Sequence, residues 1–305
     1  MSRRLTTEIA GLRLANPTML AAGILGFTGS SLRNAVEAGA GAVVTKSVGL
    51  TPRKGYPNPT VVQVDCGLLN AIGLPNPGVL HFREEVREVK EVGAPVVVSI
   101  YGFSSKEFAE VARAAVDAGA DALELNVSCP HVEKTGAEIG SDPELVAEVV
   151  RKVKDKVDKP VFVKLTPNVA NIVEVAGTAA NAGADAIVAI NTVRGMAIEV
   201  ETTRPILANK IGGLSGPAIR PVAVRCVYEI SREVNIPVIG CGGINTWRDA
   251  VEFILAGASA IQIGTAIASK GLGVFKSVTK GIDAYVLKKR FKSLKDVVGL
   301  AHSED

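Results

Sequence analysis

One phrase occurs four times along the chain. Glu37-Ala-Gly-Ala-Gly-Ala-Val-Val-Thr-Lys46 returns as Asp117-Ala-Gly-Ala-Asp-Ala-Leu-Glu-Leu-Asn126, as Asn181-Ala-Gly-Ala-Asp-Ala-Ile-Val-Ala-Ile-Asn191 and as Leu255-Ala-Gly-Ala-Ser-Ala-Ile-Gln-Ile-Gly264. Each copy reads as the end of a helix, a glycine able to take the left-handed cap conformation, and a buried strand. The small alanines let the helix lie close on the sheet. A helix-to-strand unit that repeats in this way constrains the chain to a repeated βα architecture.

Eight apolar strands are expected, near 18–23, 42–47, 96–101, 122–127, 161–165, 186–191, 238–240 and 260–264. Amphipathic helices fill most of the gaps, for example 106–118, 143–156, 172–182 and 247–256. Ser141-Asp142-Pro143-Glu144 is a helix start, with proline in the first turn and acids at the positive dipole end. Eight parallel strands alternating with helices give an α/β fold of the (β/α)8 barrel type. A doubly wound open sheet is the alternative, and the even count of eight argues against it. With 305 residues, 47% of them hydrophobic, and no linker, the whole chain is expected to form a single domain, residues 1–305. Residues 6–14 read as a short hairpin capping the bottom of the barrel. Residues 49–80 and 192–216 are long excursions after the second and sixth strands, and long ordered loops at a catalytic face are usually functional.

Several function classes fall away. The net charge is +3 and the basic residues are spread out, without the basic stripe and stacking aromatics of a nucleic-acid-binding surface. Lys288-Lys289-Arg290 reads as a solvated helix face. The four cysteines, Cys66, Cys129, Cys226 and Cys241, have no C-x-x-C spacing, and the three histidines have no metal-ligand spacing. Disulfides, structural zinc and an iron–sulfur site in this chain are therefore not expected. No apolar run reaches the ~18 residues of a membrane span, and no signal peptide is seen, so a soluble cytoplasmic protein is expected.

The apolar strands end in polar residues, at the end of a barrel where chemistry is kept. Leu123-Glu-Leu-Asn-Val-Ser-Cys-Pro-His131 must stop being a strand at Pro130, which cannot donate to a ladder. It carries Asn126, Ser128 and Cys129, and an exposed cysteine just after a strand is a candidate base or nucleophile. The alternative is a small buried cysteine that fills space. The second strand ends in Thr45-Lys46-Ser47 and the third carries Ser99. The fifth holds Lys164, followed by Thr166-Pro167-Asn168, and the sixth ends in Asn191-Thr192. Lysines at the ends of buried strands imply an anionic partner in the mouth unless each snorkels to solvent. Gly240-Cys-Gly-Gly-Ile-Asn245 and Gly264-Thr265-Ala266 follow the last two strands, where barrels bind phosphate through backbone amides. Two lysines, several amides and a phosphate clamp suggest a phosphorylated cofactor beside a small anionic substrate.

At these residues the chain resembles the class 1 dihydroorotate dehydrogenases, from Asn16-Pro17 to Gly264-Thr265-Ala266. The carrying motifs are Thr45-Lys46-Ser47, Asn70-Ala-Ile-Gly-Leu-Pro-Asn-Pro-Gly78, Asn126-Val-Ser-Cys-Pro130, Lys164-Leu-Thr-Pro-Asn168, Asn191-Thr192, Gly212-Gly-Leu-Ser-Gly216 and Cys241-Gly-Gly-Ile244. The resemblance implies oxidation of dihydroorotate to orotate in pyrimidine synthesis. Cys129 would remove a proton from C5 while a hydride leaves C6 for FMN, one FMN per chain. Lys46, Asn70, Ile72, Gly73, Leu74, Asn126, Asn191 and Thr192 would hold the substrate. Ala22, Lys46, Ser47, Ser99, Asn126, Lys164, Ile190 and Gly216 would contact FMN, with Gly242, Gly243, Gly264 and Thr265 at its phosphate. His131 and Ser99 stand where the family commonly has Asn. The stretch Val132-Glu-Lys-Thr-Gly-Ala-Glu-Ile-Gly-Ser-Asp-Pro143 is similar to the 1B group. That group implies a homodimeric core joined to a partner subunit carrying FAD and a [2Fe–2S] cluster, which passes electrons to NAD+. The alternatives are a 1A-type, fumarate-dependent enzyme, another FMN barrel acting on a pyrimidine base, and a non-catalytic barrel that binds a phosphorylated ligand.

Overall fold

The computed structural model describes residues 3–128 and 139–303. Eight parallel strands close into a barrel in chain order: Thr18–Leu20, Ala42–Val44, Val96–Ile100, Ala122–Asn126, Val161–Leu165, Ala186–Ala189, Val238–Cys241 and Ala258–Ile263. The last strand pairs with the first through Ile261↔Thr18, Gln262↔Met19 and Ile263↔Leu20, which removes both sheet edges. The expected (β/α)8 barrel is therefore the fold. Strands 1, 2 and 6 are shorter than the sequence suggests. Their final residues leave the ladder to build the mouth: Lys46, for instance, gives its backbone N–H to Gly26 O rather than to a neighbouring strand.

Helices α1 (Gly29–Glu37), α2 (Arg83–Lys90), α3 (Ser105–Asp117), α4 (Pro143–Lys154), α5 (Ile172–Asn181), α6 (Arg220–Glu233), α7 (Trp247–Leu255), α8 (Ala266–Lys270) and α9 (Gly273–Lys288) surround the barrel. The repeated phrase does what its residues dictate. Gly39, Gly119, Gly183 and Gly257 all have φ between 102° and 112°, each just past a helix. In the first three copies the next alanine N–H reaches back five residues, Ala40 to Ala35, Ala120 to Ala115 and Ala184 to Ala179, closing the orphan carbonyls of the last turn. Asp142 accepts from the Glu144 and Leu145 amides at the start of α4, as the Asp-Pro-Glu run implies.

Side chains alternate across each strand. One set faces the helices. The other fills the barrel interior with Met19, Val44, Val97, Ala122, Phe162, Val188, Ile239 and Ala260. The N-terminal hairpin, Thr7–Ile9 against Leu12–Leu14, closes this inner core from below with Ile9 and Leu14, both 1% exposed. At the opposite end the two long excursions meet. Val193–Met196, Ile211–Ser215, Gly67–Asn70 and Val61–Val64 form one four-stranded antiparallel sheet in that order. Read from sequence the excursions are separate loops; in the structure they are one sheet over the mouth. Among the described residues no helix is long and apolar enough to cross a membrane.

Candidate active site

A cavity of about 810 Å³ opens at the carboxyl ends of the barrel strands, large enough for a cofactor and a small substrate together. It is lined by Ala22, Lys46, Ser47, Asn70, Ile72, Gly73, Leu74, Asn126, Lys164, Ile190, Asn191, Thr192, Gly216, Gly242, Gly243, Gly264 and Thr265. Residues that are up to 243 positions apart in sequence are thus brought to one mouth. Ser99 does not line the cavity. It is fully buried behind Ser47, with the two hydroxyls 2.9 Å apart. Cys129 and His131, with most of the segment similar to the 1B group, lie outside the described residues. Ser128 and Ser141, on either side of that segment, line the cavity, and the Ser128 hydroxyl is buried without a hydrogen-bond partner among the described residues.

One wall is a chain of polar side chains across three strands. Asn191 Nδ2 donates to Asn126 Oδ1 at 3.2 Å, and Asn126 Nδ2 donates to Ser47 Oγ at 3.2 Å. Both amides are thereby fixed in orientation while keeping capacity for a ligand. Asn168 braces the next turn, donating to Thr166 Oγ1 and to Thr192 O and accepting from the Arg194 amide. Asn70 reaches the site from the covering sheet, where it donates to Gly213 O at 3.0 Å. That strand can lie close only because residue 213 is glycine: a Cβ there would stand 2.1 Å from Thr192 Oγ1. The backbone of 72–74 is held from behind. Ile72 O accepts from the Tyr56 amide, Gly73 O from Arg53 Nε and Leu74 O from Asn76 Nδ2.

The two lysines differ. Lys46 is 5% exposed and, among the described residues, makes no ion pair; its ammonium lies 5.3 Å from the centre of the Phe27 ring. Burial pushes its pKa down. Lys164 is equally buried but donates to Gln262 Oε1 at 2.9 Å and stands 3.6 Å from Glu124 Oε1. Burial again opposes its charge, yet the neighbouring Cys241 and Glu124 outweigh it, and its pKa is raised. Burial likewise pushes the Cys241 thiol up, with Lys164 acting against that shift. The charged Glu124 was not singled out from sequence. The period-two pattern of Ala122-Leu-Glu-Leu-Asn126 puts it on the same face as Asn126, and the same reasoning would have found Gln262 and Cys241.

At the seventh and eighth strand ends the backbone itself is exposed to the cavity. Gly242 and Gly243 have φ of 131° and 76°, and a Cβ on Gly243 would meet Gly216 O at 2.8 Å. Asp249 holds this turn, accepting from the Asn245 and Thr246 amides at 2.9 and 2.7 Å and pairing with Arg220. Thr265 Oγ1 donates to Ser215 Oγ at 2.8 Å, tying the eighth strand end to the covering sheet. Exposed backbone at two adjacent strand ends suits a phosphate, and the amides and lysines suit a planar anionic ligand beside it.

The sequence matches the profile of the dihydroorotate dehydrogenase family over residues 4–286. It is 54% identical over 296 residues to a protein of Methanosarcina mazei, covering 96% of this chain and 94% of that one. It is 54% identical over 300 residues to one of Methanothermobacter thermautotrophicus, covering 98% of each. It is 52% identical over 294 residues to one of Pyrococcus furiosus, covering 96% and 97%. All three relatives are named the catalytic subunit of dihydroorotate dehydrogenase B (NAD(+)). The closed eight-stranded barrel, its polar mouth and these matches lead to one conclusion: the chain belongs to the dihydroorotate dehydrogenase family.

Proposed function

We propose that this chain is the catalytic subunit of an FMN-dependent dihydroorotate dehydrogenase, oxidising (S)-dihydroorotate to orotate in de novo pyrimidine synthesis. The observation that carries the reading is two buried lysines, one partnered and one without an ion pair among the described residues, in a single cavity with the Asn126–Asn191 amide pair. Lys46 supplies the cation that a substrate carboxylate needs. Asn126, Asn191, Thr192 and Asn70, with the backbone of Ile72, Gly73 and Leu74, provide donors and acceptors around a planar ring.

The residues present fit FMN: Gly242, Gly243, Gly264 and Thr265 for its phosphate, and Ala22, Ser47, Lys164, Ile190 and Gly216 beside its ring, with Ser99 supporting Ser47 from behind. When bound, FMN supplies the two-electron acceptor that no side chain of the mouth can provide. Cys129, directly after the cavity-lining Ser128, takes the proton from C5 of the substrate. The thiolate is the active form, and a free thiol has a pKa near ~8.5, so turnover rises with pH until that thiol has ionised. Lys164 places positive charge where the acceptor gains electrons.

The names of the relatives, which include NAD(+) and the words catalytic subunit, support electrons leaving to NAD+ through a second protein carrying FAD and a [2Fe–2S] cluster. The assembly we propose is a homodimeric core of single-domain chains, each with one such partner, in the cytoplasm. The test of the substrate is turnover with an artificial dye acceptor, offered dihydroorotate and dihydrouracil in parallel. Conversion of dihydroorotate alone is expected, because only it carries the carboxylate for Lys46. Equal conversion of the two would move the assignment to an enzyme of free pyrimidine bases.

A further inference from the structure

At the floor of the cavity, above the apolar layers of the barrel interior, stands a charged group. Glu124 is wholly buried. Its Oε2 accepts from Gln262 Nε2 at 2.5 Å, while Oε1 is buried with no hydrogen bond among the described residues and lies 3.6 Å from the Lys164 ammonium. Gln262 also accepts from Lys164 Nζ, so one amide clamps both charges, and its place in the eighth strand fixes the pair from the far side of the barrel. We propose that Glu124 is a positioning residue for Lys164: it keeps that ammonium charged and aimed at the cavity floor, facing the flavin. The inference rests on the FMN reading above.

The protein contains its own comparison. Lys46 and Lys164 are each 5% exposed at strand ends in one mouth. Burial opposes the charge of both: at Lys46 nothing among the described residues offsets it, whereas at Lys164 the neighbouring Cys241 and Glu124 outweigh it. Burial of an isolated ammonium is costly, and an adjacent carboxylate offsets it. The titratable groups facing Glu124 are Lys164 from the fifth strand and Cys241 from the seventh. Ser99, its register partner on the third strand, and Gln262 on the eighth are uncharged. The other ionisable groups lining the cavity among the described residues are Lys46, just past the second strand, and Arg53, Tyr56 and Arg194.

The pair is neutral as a unit in the native protein, so removing the carboxylate changes what an anion near the flavin experiences. Sulfite, which adds to oxidised flavins as an anion, reads this directly. In FMN-loaded Glu124→Gln, sulfite affinity relative to wild type should be at least about tenfold higher near about pH 6, since one unit charge even about 12 Å away at an effective dielectric of about 20 is worth that factor. That ratio should fall as pH rises, because Lys164 then loses its proton. Glu124→Asp, which keeps the charge, should restore a flat ratio. A Glu124→Gln ratio that is flat across pH would overturn the proposal, since a merely structural role has no reason to titrate. Thermal unfolding tests the pairing without flavin. Lys164→Gln alone strands a buried carboxylate and should lower the midpoint more than Lys164→Gln with Glu124→Gln; the opposite order would overturn the coupling. A wild-type protein that takes up no FMN would count against the cofactor reading, and the unfolding comparison would still decide the pair.

Discussion

Replacing Lys46 with Met should make the protein more stable and a worse ligand binder. Lys46 is 5% exposed with no ion pair among the described residues, so the folded protein carries a cation that burial disfavours. A substrate carboxylate at about 4 Å would gain about 4 kcal/mol at an effective dielectric of about 20. Desolvation of both charges takes back part of this, and charge-assisted hydrogen bonds net about 1.5–3 kcal/mol. Orotate affinity, measured by flavin absorbance or calorimetry, should therefore drop about 10- to 150-fold in Lys46→Met. The same change should raise the unfolding free energy by roughly 0.5–2 kcal/mol, because it removes a strained functional charge while methionine keeps the packing. The pH dependence has a definite sign. A lysine whose folded pKa lies below its unfolded value costs the fold most below the folded pKa, and the cost fades as pH rises through it. The stabilisation of the variant should be full below the lowered pKa of Lys46 and shrink as pH rises through it, where orotate binding by the wild type should also weaken. Unchanged orotate affinity, or a lower unfolding temperature, would refute the reasoning.

Three further outcomes are expected. Cys129→Ser should bind FMN and orotate nearly as wild type but slow anaerobic flavin reduction by ~10²-fold or more, the usual size of a general-base contribution, measured by stopped flow. Gly264→Ala should weaken FMN binding about tenfold, about 1.4 kcal/mol, at unchanged thermal stability, because its new methyl meets only Ala21 Cβ at an ordinary 3.4 Å. Gly243→Ala makes a poorer probe, since its Cβ would stand 2.8 Å from Gly216 O and disturb the turn itself. Reoxidation of the dihydroorotate-reduced chain should be slow with NAD+ or fumarate offered alone and fast with NAD+ once an FAD and [2Fe–2S] protein is added; fast turnover with fumarate would contradict the two-protein reading.

Local signals carried most of the fold. The Ala-Gly-Ala phrase specifies a helix end, a positive-φ glycine and a buried strand within ten residues, and Gly39, Gly119, Gly183 and Gly257 all occupy that conformation. The polar strand ends were equally readable, because a lysine or asparagine closing an apolar run has few bland explanations. Two things were not legible. The pairing of Gly67–Asn70 with Ile211–Ser215 joins segments roughly 140 residues apart, and neither carries an alternating pattern strong enough to announce a partner. The depth of Ser99 is the other: strand alternation tells which face a residue takes but not its depth below the mouth, and Ser47 stands between Ser99 and the cavity. Glu124 and Gln262 were readable by alternation and needed only that apolar neighbours not be taken as proof of an apolar face.

The central claim is that this barrel mouth holds FMN and reduces it with dihydroorotate. The direct measurement is the visible spectrum of the purified protein under anaerobic conditions, before and after addition of dihydroorotate. The expected result is a yellow protein with close to one FMN per chain whose absorbance bleaches on mixing, with orotate formed in equal amount. A flavin-loaded protein whose spectrum dihydroorotate leaves unchanged would contradict it.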